Sequence, residues 1–197
     1  MVELKSHLNA FVTGSTGLLG NNLVPELLEH HRPHPHRLEV MTVLPGWMFG
    51  PGDAAPTNSG QLVLDFLGRK LPGILDGDTT RVDARDVAQG MRLAAQSGKN
   101  GEKYIVAGNF VSFEQLFLGI EKASGIPAPK LRLSNALVLM IAHTSEFFAR
   151  LSHTRPVMPV EGIKAMQAKD GADSSKAVRE FGLGFRPIKK TLRDTVT

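Results

Sequence analysis

The residues best suited to chemistry lie near the start of the chain, in Thr13-Gly14-Ser15-Thr16-Gly17-Leu18-Leu19-Gly20. An apolar run, Leu8–Thr13, precedes them, and leucines at helical spacing follow. In a strand–loop–helix of this kind each glycine has a steric task. Gly14 allows a sharp turn off the strand. Gly17 lacks the Cβ that would keep the backbone away from a pyrophosphate. Gly20 lets the helix pack close to the sheet. Free backbone N–H groups and the helix dipole then face the phosphates. The alternative is a tight strand-to-helix turn with incidental glycines. Pro25 also bears on the loop: it removes an N–H inside the helix and crowds the carbonyl of Asn21. The helix either kinks there or restarts with Asn22 as its N-cap, which would weaken the phosphate site.

Side chains able to move protons or bind metals are sparse. Cysteine is absent, which excludes a thiol nucleophile, a disulfide framework and a cysteine-ligated metal. Tyr104 is the sole tyrosine and Gly108 stands four places on, so no Tyr-x-x-x-Lys exists in these residues. Lys103 does not replace the missing lysine, because neighbours on a strand point to opposite faces. His30, His31, His34 and His36 fall in a proline-broken run whose nearest carboxylate is Glu29. It reads as a polar junction rather than a metal site. His143 lies in an apolar helical stretch and is expected to be a satisfied core histidine. Asp83 and Asp86 are three apart, and Asp86 reads as a helix cap, with Gln89 completing a capping box.

These groups need elements to hold them. Leu8–Thr13, Glu39–Leu44 and Tyr104–Ala107 read as strands. Leu62, Val63, Phe66 and Leu67 mark a helix after a glycine- and proline-rich loop. A second begins at Asp86. Ser112 and Gln115 open a third with a capping-box pattern, and Gly125 stops it. Helices are further expected over Ser134–Leu151, Glu161–Lys169, Ser174–Phe181 and after Pro187. Strands early and helices late indicate an α/β chain. Its organisation is a reduced dinucleotide-binding core over 1–52, joined by a returning strand at 103–108, and a mostly helical substrate lobe over 53–197. The first strand must pair with Glu39–Leu44 through a short crossover or remain an exposed edge. A second copy of the chain is the expected cover for such an edge.

The chain has 197 residues, 42% of them hydrophobic, enough to bury a core. Its formal charge is +4 with scattered basic residues, which speaks against a nucleic-acid surface. Arg186, Lys189, Lys190 and Arg193 read as a solvated helix face. The longest uncharged apolar stretch, Leu133–Ser145, falls short of the roughly 20 residues a bilayer span needs. The polar N-terminus does not read as a secretory signal. A cytoplasmic setting is expected, with no membrane partner.

The pattern Thr-Gly-x-x-Gly-x-x-Gly resembles that of the extended short-chain dehydrogenase/reductases, the NAD-dependent epimerase/dehydratase family, and most of all its dihydroflavonol-4-reductase-like members. Val43-Leu44-Pro45-Gly46-Trp47-Met48-Phe49-Gly50-Pro51-Gly52-Asp53 is similar to that family's late strand and its Gly-Pro-Gly loop. Val82-Asp83-Ala84-Arg85-Asp86-Val87-Ala88, Lys103-Tyr104-Ile105-Val106-Ala107-Gly108, Asp173-Ser174-Ser175-Lys176-Ala177 and Thr191-Leu192-Arg193-Asp194-Thr195-Val196 resemble later segments, in the family's order. The resemblance implies a truncated Rossmann-like parallel sheet and a cofactor, NAD or NADP, held weakly. The implied contacts are Gly14, Ser15, Thr16, Gly17, Leu18, Leu19 and Gly20 on the phosphates, and Pro45, Trp47 and Met48 near the nicotinamide, although Trp47 reads equally well as a plain core residue. Only Glu29 to Leu38 stands where the family carries a large block of strands, its ribose-reading residue, a catalytic serine or threonine, and Tyr-x-x-x-Lys. No catalytic residue and no metal ligand is therefore assigned.

Two readings follow. One is an NAD(P)-binding member of an oxidoreductase family, impaired in hydride transfer to a small carbonyl or hydroxyl substrate. The other is a non-catalytic nucleotide-binding or interaction protein, or a shortened product without activity.

Overall fold

The computed structural model describes residues 9–13, 39–53, 57–134, 136–140, 142–144 and 171–197. Two compact units interleave along the chain. The first comprises Met1–Met48, Val82–Gly108 and Asp173–Arg186, the second Phe49–Arg81, Asn109–Ala172 and Pro187–Thr197. Helix and strand from well beyond residue 52 thus pack into the first unit, because parallel strands need crossovers that return the chain to the same sheet.

In the first unit, β1 (Asn9–Thr13), β2 (Glu39–Pro45) and β6 (Lys103–Val106) form a sheet in the order β1-β2-β6. All neighbours run parallel. The first strand therefore takes the paired alternative, with Asn9 opposite Glu39 and Thr13 opposite Val43. Helix α2 (Ala84–Ser97) covers the sheet, and α4 (Ser175–Phe181) packs beside it. Met41, Val43, Tyr104 and Val106 meet Val87, Ala94, Ala177 and Leu183 in one core. A continuous β-branched run such as Glu39–Pro45 suits a strand buried in a parallel sheet.

The second unit contains strands as well as helices. Strands β3 (Trp47–Phe49), β5 (Asp78–Asp83) and β7 (Asn109–Ser112) form a sheet in the order β3-β5-β7, and β4 (Ile74–Leu75) pairs with β8 (Arg132–Leu133). β5 and β7 are antiparallel, with Asp78 opposite Ser112 and Arg81 opposite Asn109. Helices α1 (Asn58–Leu67), α3 (Phe113–Ser124) and α5 (Ile188–Val196) complete it, with helical residues 136–140 and 142–144. Phe66 stacks on Phe117 at 5.6 Å, and Leu116, Ile120 and Leu192 are fully buried.

Helix α3 opens as the sequence predicts. Ser112 accepts from the Gln115 N–H, and the Gln115 side chain accepts from the Ser112 N–H. Gly125 ends it at φ +74°, a left-handed position that favours glycine. Two expectations are corrected, and one strand goes unanticipated. Helix α2 starts at Ala84 with Asp83, not Asp86, as its N-cap. His143 is exposed, because its helix buries Val138 and Ala142 on the opposite side. The β-branched Thr79-Thr80-Arg81-Val82 run is a strand, β5, that helix-spaced patterning did not reveal.

Candidate functional site at the carboxyl edge of the parallel sheet

Parallel strands end on one side, and ligands of open α/β sheets bind outside those carboxyl ends. Thr13, the residue before the glycine loop, is opposite Val43, and Pro45 is opposite Val106. β1 therefore ends at the same edge at which β2 runs into Pro45-Gly46-Trp47-Met48. Gly14 to Gly20 themselves lie outside the described residues, as do His30, His31, His34, His36 and the helix expected over Glu161–Lys169.

The turn after β2 is fixed by a close approach. The Gly46 N–H donates to the Val106 carbonyl at 3.1 Å. A Cβ at Gly46 would stand 2.6 Å from the Ala107 carbonyl oxygen, so only glycine fits there. The Ala107 N–H is held in turn by the buried Ser174 hydroxyl, which accepts at 2.9 Å. Trp47 is half-buried and Met48 is 41% exposed. Pro45, Trp47 and Met48 offer apolar surface without an ionisable group, a chemistry that fits one face of a nicotinamide ring but supplies no proton.

The polar residues of the family-like segments are engaged in structure. Asp83 accepts from the Arg85 backbone N–H at 2.9 Å and from its guanidinium at 2.8 and 2.6 Å. Asp86 is buried and accepts from the Arg186 N–H at 2.7 Å while pairing with the Arg186 guanidinium. Asp173 accepts from the Ser175 N–H and hydroxyl, each at 2.8 Å, which holds its carboxyl below the usual range. Sequence reasoning missed the Asp86–Arg186 pair, whose partners are a hundred residues apart. It also missed Arg81, fully buried under desolvation that lowers its pKa to about 10. The Arg81 guanidinium donates to the Val111 carbonyl and lies 4.7 Å from the Phe113 ring centroid.

Tyr104 is fully buried. Its hydroxyl accepts from the Lys99 N–H at 3.0 Å and donates to Glu180 at 3.2 Å. Both oxygen lone-pair and proton roles are thus spent near the start of β6, away from the carboxyl edge. Lys103 is exposed on the strand's other face. A lysine does approach the ring, since Lys176 Nζ lies 4.6 Å from its centroid, but it pairs with Glu102 rather than with the hydroxyl.

That Lys176–Glu102 pair ties α4 to β6 and gives a pH signature. The hydrogen bond from Lys176 holds the Glu102 carboxyl below its ordinary value, and the same bond holds the Lys176 ammonium above its own. The Glu102 contribution is present above the ordinary glutamate pKa and is lost as pH falls through its lowered value. The Lys176 contribution is complete below the ordinary lysine pKa and is lost as pH rises through its raised value. Urea midpoints measured against pH are expected to show a shallower acid limb in Glu102→Gln; an unchanged limb would remove this pair from the acid response.

No protein-family model matches the chain. Among curated proteins it is 33% identical over 162 residues to a candidate dihydroflavonol 4-reductase of Synechocystis sp., covering 80% of this chain and 47% of that protein. It is 30% identical over 161 residues to sterol demethylase protein B of Methylococcus capsulatus, covering 81% of this chain and 49% of that protein. The chain is thus similar to dihydroflavonol-4-reductase-like proteins of the epimerase/dehydratase kind. It spans about half the length of the curated relatives it matches. The crystal structure of gox2253 superposes on this chain with a TM-score of 0.70 at 28% identity, over 90% of this chain and 52% of that one. The same fold appears in UDP-glucuronic acid 4-epimerase from Bacillus cereus, solved with UDP-glucuronic acid and NAD. There the TM-score is 0.60 at 19% identity, over 93% of this chain and 50% of that one. Yeast methylglyoxal/isovaleraldehyde reductase Gre2, solved with NADPH, gives 0.53 at 24%, over 90% and 51%. The α/β class and the Rossmann-like parallel sheet are shared with these structural neighbours. Among the described residues no helix is long and apolar enough to cross a membrane.

Proposed function

We propose that this chain binds the phosphates of NAD or NADP weakly at the carboxyl edge of its parallel sheet, and does not transfer hydride by the family's tyrosine mechanism. The observation that carries the first half is the register: the strand feeding the glycine loop ends opposite the strand feeding Pro45-Gly46-Trp47-Met48. NAD and NADPH in the structural neighbours support the class of ligand. Gly14 to Gly20 would supply backbone donors for the pyrophosphate. Pro45, Trp47 and Met48 would supply apolar contact for the nicotinamide, and the bound cofactor would supply the hydride. Calorimetric titration of the purified chain with NAD(H) and NADP(H) tests this; no heat with any of the four removes the reading.

The second half rests on Tyr104. In the family's chemistry a tyrosine hydroxyl exchanges the proton as hydride moves, and losing such an acid costs roughly two to four powers of ten in rate. The sole tyrosine here is a core residue with its hydroxyl engaged at the opposite end of β6. Neither the natural chain nor Tyr104→Phe is expected to consume NADH or NADPH with small carbonyl substrates. Turnover in the natural chain that disappears in Tyr104→Phe would reverse the assignment of Tyr104.

The small sheet favours a second copy as partner. Among the described residues β1 pairs only with β2, and an apolar strand edge recruits another strand. Sedimentation of the purified chain is expected to show self-association; a monodisperse monomer with protected amides throughout residues 9–13 would establish that the three strands suffice alone.

A further inference from the structure

A cleft of about 980 Å³ opens within the second unit, between α3, α5 and β7. Its floor is apolar and closed: Val111 and Leu192 are buried. Gly119 allows this closeness, since a Cβ there would stand 2.5 Å from a Leu192 methyl carbon. The walls are apolar but open. Phe110 is 49% exposed and Leu118 52%, with Ile188 and Ala123 beside them. Large apolar side chains facing outward from a concave surface are what a ligand site shows before it is filled.

The charged groups on this cleft are all of one sign. Lys122 comes from the last turn of α3, and Lys189 and Arg193 come from α5. No acidic residue lines the cleft among the described residues. Arg193 makes a long contact with Asp194 at 3.7 Å, whereas Lys122 and Lys189 take part in none of the ion pairs among the described residues. Asn109 and Gln115 add hydrogen-bonding groups without charge.

From this juxtaposition we infer that the α3–α5 cleft binds a single-chain amphiphile, its hydrocarbon tail along Phe110, Leu118 and Ile188 and its carboxylate or phosphate head at Lys122, Lys189 and Arg193. The volume is at the upper end of the roughly 300–1,000 Å³ typical of small-molecule sites, enough for an acyl chain. The head remains near solvent, where flexible lysines can follow it and salt weakens the attraction. The site is independent of the dinucleotide reading: every residue in it belongs to the second unit.

The test uses the full chain with laurate, dodecyl phosphate and, as a neutral comparator, dodecyl maltoside, all below their micelle concentrations. Calorimetry is expected to show both anions binding more tightly than the maltoside, with amide shifts concentrated at residues 109–123 and 187–193. Dodecyl phosphate binding more tightly than laurate would mark a phosphorylated head as the preferred source, and the reverse a fatty carboxylate. The double variant Lys122→Gln/Lys189→Gln should weaken the anions by about fivefold to tenfold, the scale of two exposed ion pairs, and leave the maltoside unchanged. Leu118→Gln, at an exposed position that folding does not require, should weaken all three. Anion affinity unaffected by the double variant, equal affinity for the maltoside, or shifts elsewhere would each overturn the inference. So would a dimer that Leu118→Gln dissociates in a chain giving no heat with laurate, which would assign the cleft to a second copy.

Discussion

Replacing Asp86 by alanine is expected to destabilise the fold by about 3 kcal/mol, the lower end of the range for removing one member of a buried ion pair. The carboxylate is 2% exposed and its Arg186 partner 34%, so water reaches the guanidinium that would be left behind and softens the loss. Two bonds disappear together, because Asp86 accepts from both the Arg186 N–H and its guanidinium. The residue lies in the first turn of the helix that covers the parallel sheet, and its partner lies in the segment after α4, so the pair fastens that segment to α2. At a urea slope of about 1–3 kcal/mol per molar, the denaturation midpoint should fall by about 1–3 M. A simple helix cap would behave differently: its loss costs about 1 kcal/mol and does not depend on Arg186. A double-mutant cycle with Arg186→Met separates the two. Coupling near 2 kcal/mol is expected, and additive single effects would return Asp86 to the role of a cap.

The same residue shows where sequence reading stops. A capping box is a local pattern, and at Ser112 and Gln115 the local pattern is the structure. At Asp86 and Gln89 the same spacing is present, but Asp83 is three residues earlier and can cap the helix from its first turn. That frees Asp86 for a partner a hundred residues away, which no window of sequence contains. Strands that pair in parallel at β-branched runs, Glu39–Pro45 and Lys103–Val106, were legible because burial on both faces leaves a continuous apolar stretch. β5 was not, because Asp78, Arg81 and Asp83 interrupt it, and only the buried environment of Arg81 over Phe113 explains an arginine inside a strand. β4 and β8, with two residues each, are too short to carry any period. At the candidate site, the sequence shows Gly46 only as part of a loop motif. Its physical reason, the carbonyl of Ala107 where a side chain would go, required the fold.

Gly17→Val is expected to weaken the proposed dinucleotide binding by at least about a hundredfold, from an expected affinity of about 0.1–1 mM. Such an affinity corresponds to only about 4–5.5 kcal/mol. Most of it must come from backbone N–H groups on phosphate oxygens, at about 1.5–3 kcal/mol for each bond to a charged acceptor. A branched Cβ in the position the pyrophosphate needs removes two or more such bonds at once. Ser15→Ala is the informative control: if backbone donors do the binding, truncating the hydroxyl should change the affinity less than threefold, since an ordinary hydrogen bond contributes about 0.5–1.5 kcal/mol net. Pro25 supplies the competing outcome. Should the helix restart after Asn22, the free N–H groups would sit one to two turns further on, and Asn22→Ala rather than Gly17→Val would carry the loss. Calorimetry on the three variants, each checked for an unchanged urea midpoint, decides between the two placements. Retained affinity in Gly17→Val would move the phosphate site off the glycine loop altogether.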